Sequence, residues 1–283
     1  MSTLRFLAVA AAVALAAPAV SADTLGRIKA RKSISLGYRT ASVPFSYVGD
    51  DGKPTGYSIE LCSKVVNAIQ SQLKLPRLDI KWVAVEPANR VARLRKGEID
   101  LECGSTTANL SRRRDVDFSL LTFADGGSYI TAKGSGIFAL ADLKGRRTGV
   151  ATGTTTEATL RRAMEKGRFA TELVAVKDHG DGLRLLNEGK IDAYASDRGL
   201  LAGLILAAGK QEAWELGSEL YSYEPYALMM RRNDADFRLV VDTELARIYR
   251  TGELFATYDR WFGAISKPGP LLDSMVFLLG LPE

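Results

Sequence analysis

Apolar positions along this chain fall in short runs that switch between a period of two and a period near 3.6. Strand-like and helix-like runs alternate, which is the pattern of an α/β fold. Ser33–Tyr38 reads as a strand. Over Ser58–Gln72, Ile59, Cys62, Val65, Val66 and Ile69 share one helical face. A strand over Asp79–Val85 follows. Asn89 is placed to cap a short helix that stops at Gly97, and Asp100–Cys103 is the next strand. The helix-end, glycine, strand-start unit Leu94-Arg95-Lys96-Gly97-Glu98-Ile99-Asp100 returns as Leu186-Asn187-Glu188-Gly189-Lys190-Ile191-Asp192. Two copies of one unit point to two lobes of similar build.

The second lobe reads as strands Ser128–Lys133, Thr148–Ala151 and Glu172–Val176, with helices over Thr156–Glu165, Asp181–Asn187 and Arg198–Ala208. A strand over Tyr226–Met230 and helices over Ala235–Arg250 and Glu253–Trp261 follow. From Lys267 onward Pro268 and Pro270 suggest an irregular tail. Two crossing strands, near 125–131 and 223–229, fit a chain that leaves one lobe and later returns. The expected division is 23–127 plus 226–283 for lobe 1 and 128–225 for lobe 2. Hinge closure about the crossing is the motion that this architecture permits.

The N-terminus changes where this fold should work. Arg5 precedes an apolar run, Phe6–Val20, that ends at the small residues Ser21 and Ala22. This reads as a secretory leader over residues 1–22, cleaved before Asp23. A membrane anchor is the weaker reading, because the run is shorter than the ~20 apolar residues of a spanning helix and Pro18 interrupts it. In an exported chain, the pair Cys62 and Cys103 favours a disulfide over two buried thiols.

Composition narrows the classes. With 46% hydrophobic and 25% charged residues the chain is an ordinary globular one, not a disordered one. The net charge of +5 is spread along the sequence, and the one dense run, Arg112-Arg113-Arg114, is followed by Asp115 and Asp117. Nucleic-acid binding would need clustered cations with interleaved aromatics, so no nucleic-acid partner is expected. His179 is the only histidine, too few for a usual zinc site. There is no nucleophile elbow and no glycine-rich phosphate loop. Neither a catalytic residue nor a cofactor nor a metal is expected.

Several polar segments do sit just after strands, where open α/β sheets hold ligands. Arg39 follows the first strand, Arg90 opens the helix after Asn89, and Arg112 lies beyond Ser105-Thr106-Thr107. A guanidinium grips a carboxylate with a planar fork. Thr154-Thr155-Thr156-Glu157 opens a helix with capping-box spacing, so one threonine caps and another is free for a ligand. His179 precedes a helix, where Asp178 and Asp181 would favour its protonated form. Asp197 ends a strand, placed either to hold an ammonium or to cap the next helix. One ammonium partner and two sets of carboxylate partners describe an amino acid with an acidic side chain.

These segments carry a resemblance. Gly37-Tyr38-Arg39, Ser42-Val43-Pro44-Phe45-Ser46-Tyr47, Gly56-Tyr57-Ser58, Glu102-Cys103-Gly104-Ser105-Thr106-Thr107, Gly153-Thr154-Thr155, Lys177-Asp178-His179-Gly180-Asp181 and Leu200-Leu201-Ala202-Gly203 resemble the periplasmic glutamate/aspartate-binding proteins of ABC transporters, in the polar amino acid family (family 3). The resemblance implies a two-lobed type II binding-protein fold, a periplasmic location, a monomer, and delivery of glutamate or aspartate to a membrane permease. It implies Arg112 on the α-carboxylate with Thr107 and Thr155, Ser105 and Asp197 on the ammonium, and Arg39, Arg90 and His179 on the side-chain carboxylate. At Pro87 the chain departs, because the family carries a ligand-contacting serine there. Pro87 has neither hydroxyl nor N–H, and Asn89 stands near enough to compensate. Two alternatives remain: a dehydratase-like enzyme for small carboxylates on the same scaffold, and a binder of glutamine or asparagine. Two arginines without a neutralising acid argue against the amides.

Overall fold

The computed structural model describes residues 23–166 and 169–282; the leader reading falls on residues outside that range. In chain order the elements are α1 (Thr24–Arg31), β1 (Ser33–Tyr38), the short strands β2 (Ala41–Ser42), β3 (Ser46–Val48) and β4 (Pro54–Thr55), α2 (Tyr57–Gln72), β5 (Asp79–Ala84), α3 (Arg90–Arg95), β6 (Leu101–Glu102), β7 (Val116–Asp125) and β8 (Gly127–Ala132). Then come β9 (Arg147–Ala151), α4 (Thr155–Glu165), β10 (Glu172–Val176), α5 (His179–Asn187), β11 (Ala193–Asp197), α6 (Arg198–Ala207), β12 (Trp214–Leu216), β13 (Glu224–Arg231), α7 (Ala235–Arg250), α8 (Glu253–Phe262) and α9 (Pro270–Leu279).

Two five-stranded sheets carry two lobes, in the orders β5-β1-β6-β13-β7 and β10-β9-β11-β8-β12. In each, the returning strand is antiparallel to its neighbours: β13 to β6 and β7, and β8 to β11 and β12. The chain changes sheet twice, between Asp125 and Gly127 and between Leu216 and Glu224. These crossings meet, because Glu224 pairs with Asp125 and Asp197 pairs with Gly127. The hinge is therefore built from the ends of strands that also carry charged side chains.

Burial follows the periodicities. The α2 face of Ile59, Cys62, Val65, Val66 and Ile69 is buried in the lobe 1 core with Leu36, Leu101 and Met230. In lobe 2 successive strand residues serve opposite faces. Tyr129, Val150 and Ala195 enter one core, and Ile130, Ala151 and Tyr194 enter the other. The cysteines are bonded, Cys62 to Cys103, which ties α2 to the end of β6.

Three local expectations are corrected, and one helix was not expected. The tail is not irregular, since α9 forms over Pro270–Leu279 with Pro270 in its first turn, where the missing N–H costs no hydrogen bond. Leu272, Met275 and Val276 have helical spacing and are buried, and the helix packs on β7 and α7. Asn89 precedes α3 without a side-chain cap bond; its Oδ1 accepts from Glu86 N–H at 3.0 Å. α5 begins at His179, not Asp181, because Asp178 caps it by accepting from Asp181 N–H at 2.9 Å. α1 went unread because it offers few apolar positions. It is held by Asp23, which accepts from Gly26 N–H at 2.7 Å, and by Asp234, which accepts from Thr24 N–H at 3.0 Å.

Candidate functional site

The facing edges of the two sheets bring polar residues to one place. From lobe 1 come Arg39 at the end of β1, Arg90 at the start of α3, and Ser105 and Thr107 beyond β6. From lobe 2 come Thr155 at the start of α4, His179 at the start of α5 and Asp197 at the end of β11. All seven line a single cavity between the lobes, together with Pro87 and Leu200. Arg112 stands at its margin. Its guanidinium donates to Thr107 O at 2.8 Å and across the cleft to Gly153 O at 3.2 Å. The enclosed space is about 20 Å³, room for about one water molecule. The lobes as they stand leave no space there for a ligand the size of an amino acid. A larger open groove of about 680 Å³ lies beside Leu25, Val240 and Leu239, with Asp236 and Glu244 as its only charged groups; it offers nothing to grip an anion.

The approach of the lobes explains two residues. Gly153 has φ of +80°, and a Cβ there would lie 3.0 Å from Ala88 Cα and 3.1 Å from Pro87 O. Only glycine suits both the backbone conformation and the close contact. Pro87 thus contributes a wall and a contact surface, while Asn89 uses its side-chain oxygen within its own turn. The rim of the cleft carries an exposed ion pair, Lys177 to Glu86, at 3.1 Å.

The threonine run divides its labour. Thr154 caps α4, accepting from Glu157 N–H at 3.1 Å. That leaves Thr155 turned to the cleft, where its hydroxyl donates to Glu224 Oε2 at 2.6 Å. Asp197 occupies the residue before α6 but makes no side-chain cap bond. Its carboxyl accepts instead from the Tyr226 hydroxyl and, at 3.3 Å, from Thr156.

Charge is concentrated here. Arg39 is 2% exposed and Arg90 3%. Burial and then the neighbouring Arg90 push Arg39 down to about 9, against the pull of Glu102. Burial likewise lowers Arg90, and burial and then Arg90 bring Arg112 to about 9. All three remain cationic at neutral pH. The acid set against Arg39 and Arg90 is Glu102, fully buried at the end of β6. Its Oε2 accepts from the Thr106 hydroxyl at 2.7 Å, and its Oε1 has no hydrogen-bond partner. The expectation of two arginines without a neutralising acid is therefore corrected. Asp178 also acts on Arg39 and Asp197 on Arg90, each more weakly than Glu102.

His179 is corrected too. Burial first, then Arg39 and Arg90, hold it down at about 3, so the ring is neutral at physiological pH. Asp178 is occupied in capping α5, and Asp181 pairs with Arg184 at 2.6 Å. His179 Nδ1 lies 2.7 Å from the Tyr194 hydroxyl. Burial pushes Tyr194 well above its usual range, so the phenol keeps its proton. With the phenol donating to Nδ1, the ring proton is on Nε2, where a neutral imidazole offers a ligand one donor.

Asp197 moves the other way. Burial, then Glu224 and Asp125, push its carboxyl up to about 8. Glu224, Glu102, Asp125, Tyr194 and Tyr226 were not assigned at the sequence level. Glu102 lay within a recognised motif, and Glu224 stands two residues before the strand as read from its apolar run. Among the described residues no group of His, Cys, Asp and Glu is arranged to hold a metal ion.

Residues 34–264 match the family described as bacterial extracellular solute-binding proteins, family 3. The chain is 38% identical to the L-glutamate/L-aspartate-binding protein of Pseudomonas aeruginosa over 89% of this chain and 84% of that one. It is 36% identical to the glutamate/aspartate import solute-binding protein of Escherichia coli, over 87% and 82%. The solute receptor for L-cysteine of Neisseria gonorrhoeae superposes with a TM-score of 0.76 at 24% identity, covering 86% of this chain and 97% of the other. At that identity the superposition shows the shared type II, two-lobed binding-protein fold.

Proposed function

The chain belongs to the bacterial extracellular solute-binding proteins of family 3, and from that premise we propose that its cleft captures glutamate or aspartate for delivery to the permease of an ABC importer. The observation that carries the reading is the charge of one cavity: buried Arg39 and Arg90 on one side and a buried carboxyl at Asp197 on the other. Arg112 takes the α-carboxylate with Thr107 and Thr155, Ser105 and Asp197 take the ammonium, and Arg39, Arg90 and His179 take the side-chain carboxylate. The similar proteins are named as binding proteins, which supports capture without chemistry. The cleaved leader at 1–22, the periplasmic location, the monomer and the motion of lobes 23–127 plus 226–283 and 128–225 belong to the same proposal.

Glu102 gives the amide ligands their footing, since it offsets part of the positive charge of Arg39 and Arg90. Titration calorimetry decides, on protein unfolded and refolded to strip carried ligand. The panel is glutamate, aspartate, glutamine, asparagine, arginine and succinate. Tight binding of glutamate or aspartate is expected. Tight glutamine binding would mean the side-chain pocket is misassigned, and succinate without any amino acid would remove the ammonium role of Asp197 and favour the enzyme.

Asp197 makes binding pH-dependent. Its carboxyl is pushed up to about 8 by burial, Glu224 and Asp125 and must ionise to hold an ammonium. Capture at pH 7 should therefore release a proton, and affinity should fall as pH drops from 8 to 6, by up to about tenfold per unit. Unliganded stability runs oppositely. With a folded value raised above the unfolded ~3.9, the contribution of Asp197 is complete below about pH 4 and is lost as pH rises through about 8. Calorimetry in two buffers of different ionisation enthalpy counts the proton; an affinity flat from pH 6 to 8 would refute the assignment.

A further inference from the structure

Glu224 opens β13 at the hinge, 2% exposed, and pairs in register with Asp125. Three hydroxyls converge on it. Oε2 accepts from Thr107 and from Thr155, each at 2.6 Å, and Oε1 accepts from Ser222 at 2.6 Å. Thr107 belongs to lobe 1 and Thr155 to lobe 2, and their hydroxyl oxygens are 3.3 Å apart. One oxygen of a hinge residue thus joins both faces of the cleft.

Both threonine hydroxyls donate to the same Glu224 oxygen, Oε2. A hydroxyl has one proton. Once that proton is committed to Glu224, Thr107 and Thr155 show the cavity only lone pairs. Lone pairs attract an ammonium and repel a carboxylate. We infer that Glu224 is a positioning residue: by taking both hydroxyl protons it makes Thr107 and Thr155 acceptors for the ammonium of the bound amino acid, and it does so only when the two lobes are together. The hydroxyls then work beside Asp197, and what Thr107 and Thr155 give an α-carboxylate comes from their backbone N–H groups. This rests on the reading of the cleft as an amino-acid site, though not on which amino acid fills it.

The test is Glu224→Gln, with glutamate and its analogue without the ammonium, glutarate, as probes. The glutamine amide donates to one threonine and turns that hydroxyl round, so that its proton faces the ligand. Displacement of labelled glutamate reads both affinities. The expected result is about tenfold weaker glutamate binding, the worth of one to two reversed hydrogen bonds, with glutarate unchanged or tighter. Equal weakening of both probes, or no change in either, overturns the inference, because a structural role would not distinguish an ammonium. Should the variant not fold, Thr155→Val serves. It is expected to weaken glutamate and spare glutarate, and the opposite preference would show that the hydroxyl donates to a carboxylate. Failure of the wild-type protein to bind acidic amino acids would instead strike the proposed ligand. The same comparison then runs with whichever amino acid binds and its own analogue lacking the amine.

Discussion

Arg90→Ala is expected to weaken glutamate or aspartate binding by about 150- to 4,000-fold, the equivalent of the ~3–5 kcal/mol lost when one partner of a buried ion pair is removed. The size of the effect follows from burial. Arg90 is 3% exposed, and its Nε has no hydrogen-bond partner among the described residues. A buried, under-satisfied guanidinium costs folding free energy that a ligand carboxylate repays on binding. Binding and stability should therefore separate. The unliganded variant should melt close to the wild type or above it, because a desolvated cation beside Arg39 is gone. The ligand-induced rise in Tm should disappear. Calorimetric titration and melting curves with and without glutamate check both halves. A dissociation constant within threefold of the wild type would mean that Arg39 alone balances the side-chain carboxylate.

Removing the disulfide should have its effect on stability. Cys62 and Cys103 are both fully buried and are separated by 41 residues. Closing a loop of that length lowers the entropy of the unfolded chain by about 4 kcal/mol on the loop-entropy model. The double variant Cys62→Ala, Cys103→Ala should lose about that much in urea unfolding, plus a smaller cost for the two vacated core positions. Affinity should change little. The ligand loop beyond Cys103 has other anchors: Ala227 N–H donates to Thr106 O at 3.1 Å, Ala108 N–H donates to Pro225 O at 2.7 Å, and Thr107 bridges to Tyr226. Superimposable urea curves for the variant and the wild type would contradict the stability assignment. A large loss of affinity in a folded variant would show that the bond, more than these backbone contacts, seats Ser105 and Thr107.

Much of the fold was legible because its causes are local. β1 and β10 have the bounds read from their alternation, and α7 has those read from its apolar period. α2 and α8 are off by one residue. α9 was missed because prolines were weighed as breakers, when Pro270 stands in the first turn, the one part of a helix that tolerates it. β7 was not read as a full strand. Its pairing with β13 slips between Tyr226 and Ala227 and again between Ala227 and Met229, and a bulged strand breaks the period of two on which a sequence reading depends.

The site divides along the same line. Arg39, Arg90, Ser105, Thr107, Thr155, His179 and Asp197 were identifiable because strand ends and helix starts are marked in the chain, and open α/β sheets gather such ends at one edge. That much the amino-acid order determined by itself, along with the two lobes and the pair of cysteines. Only the tertiary structure decided the charge and the direction of each group. His179 is neutral because it is buried and because Arg39 and Arg90 lie beside it, and Asp178 and Asp181, its neighbours in sequence, do not hold a proton on it. Glu102 offsets part of the charge of Arg39 and Arg90, which come together beside it only in the folded chain. Glu224 draws the hydroxyl protons of Thr107 and Thr155 from opposite lobes. Protonation and hydrogen-bond direction depend on burial and on distances between neighbours in space, and those distances exist only once the two lobes have met.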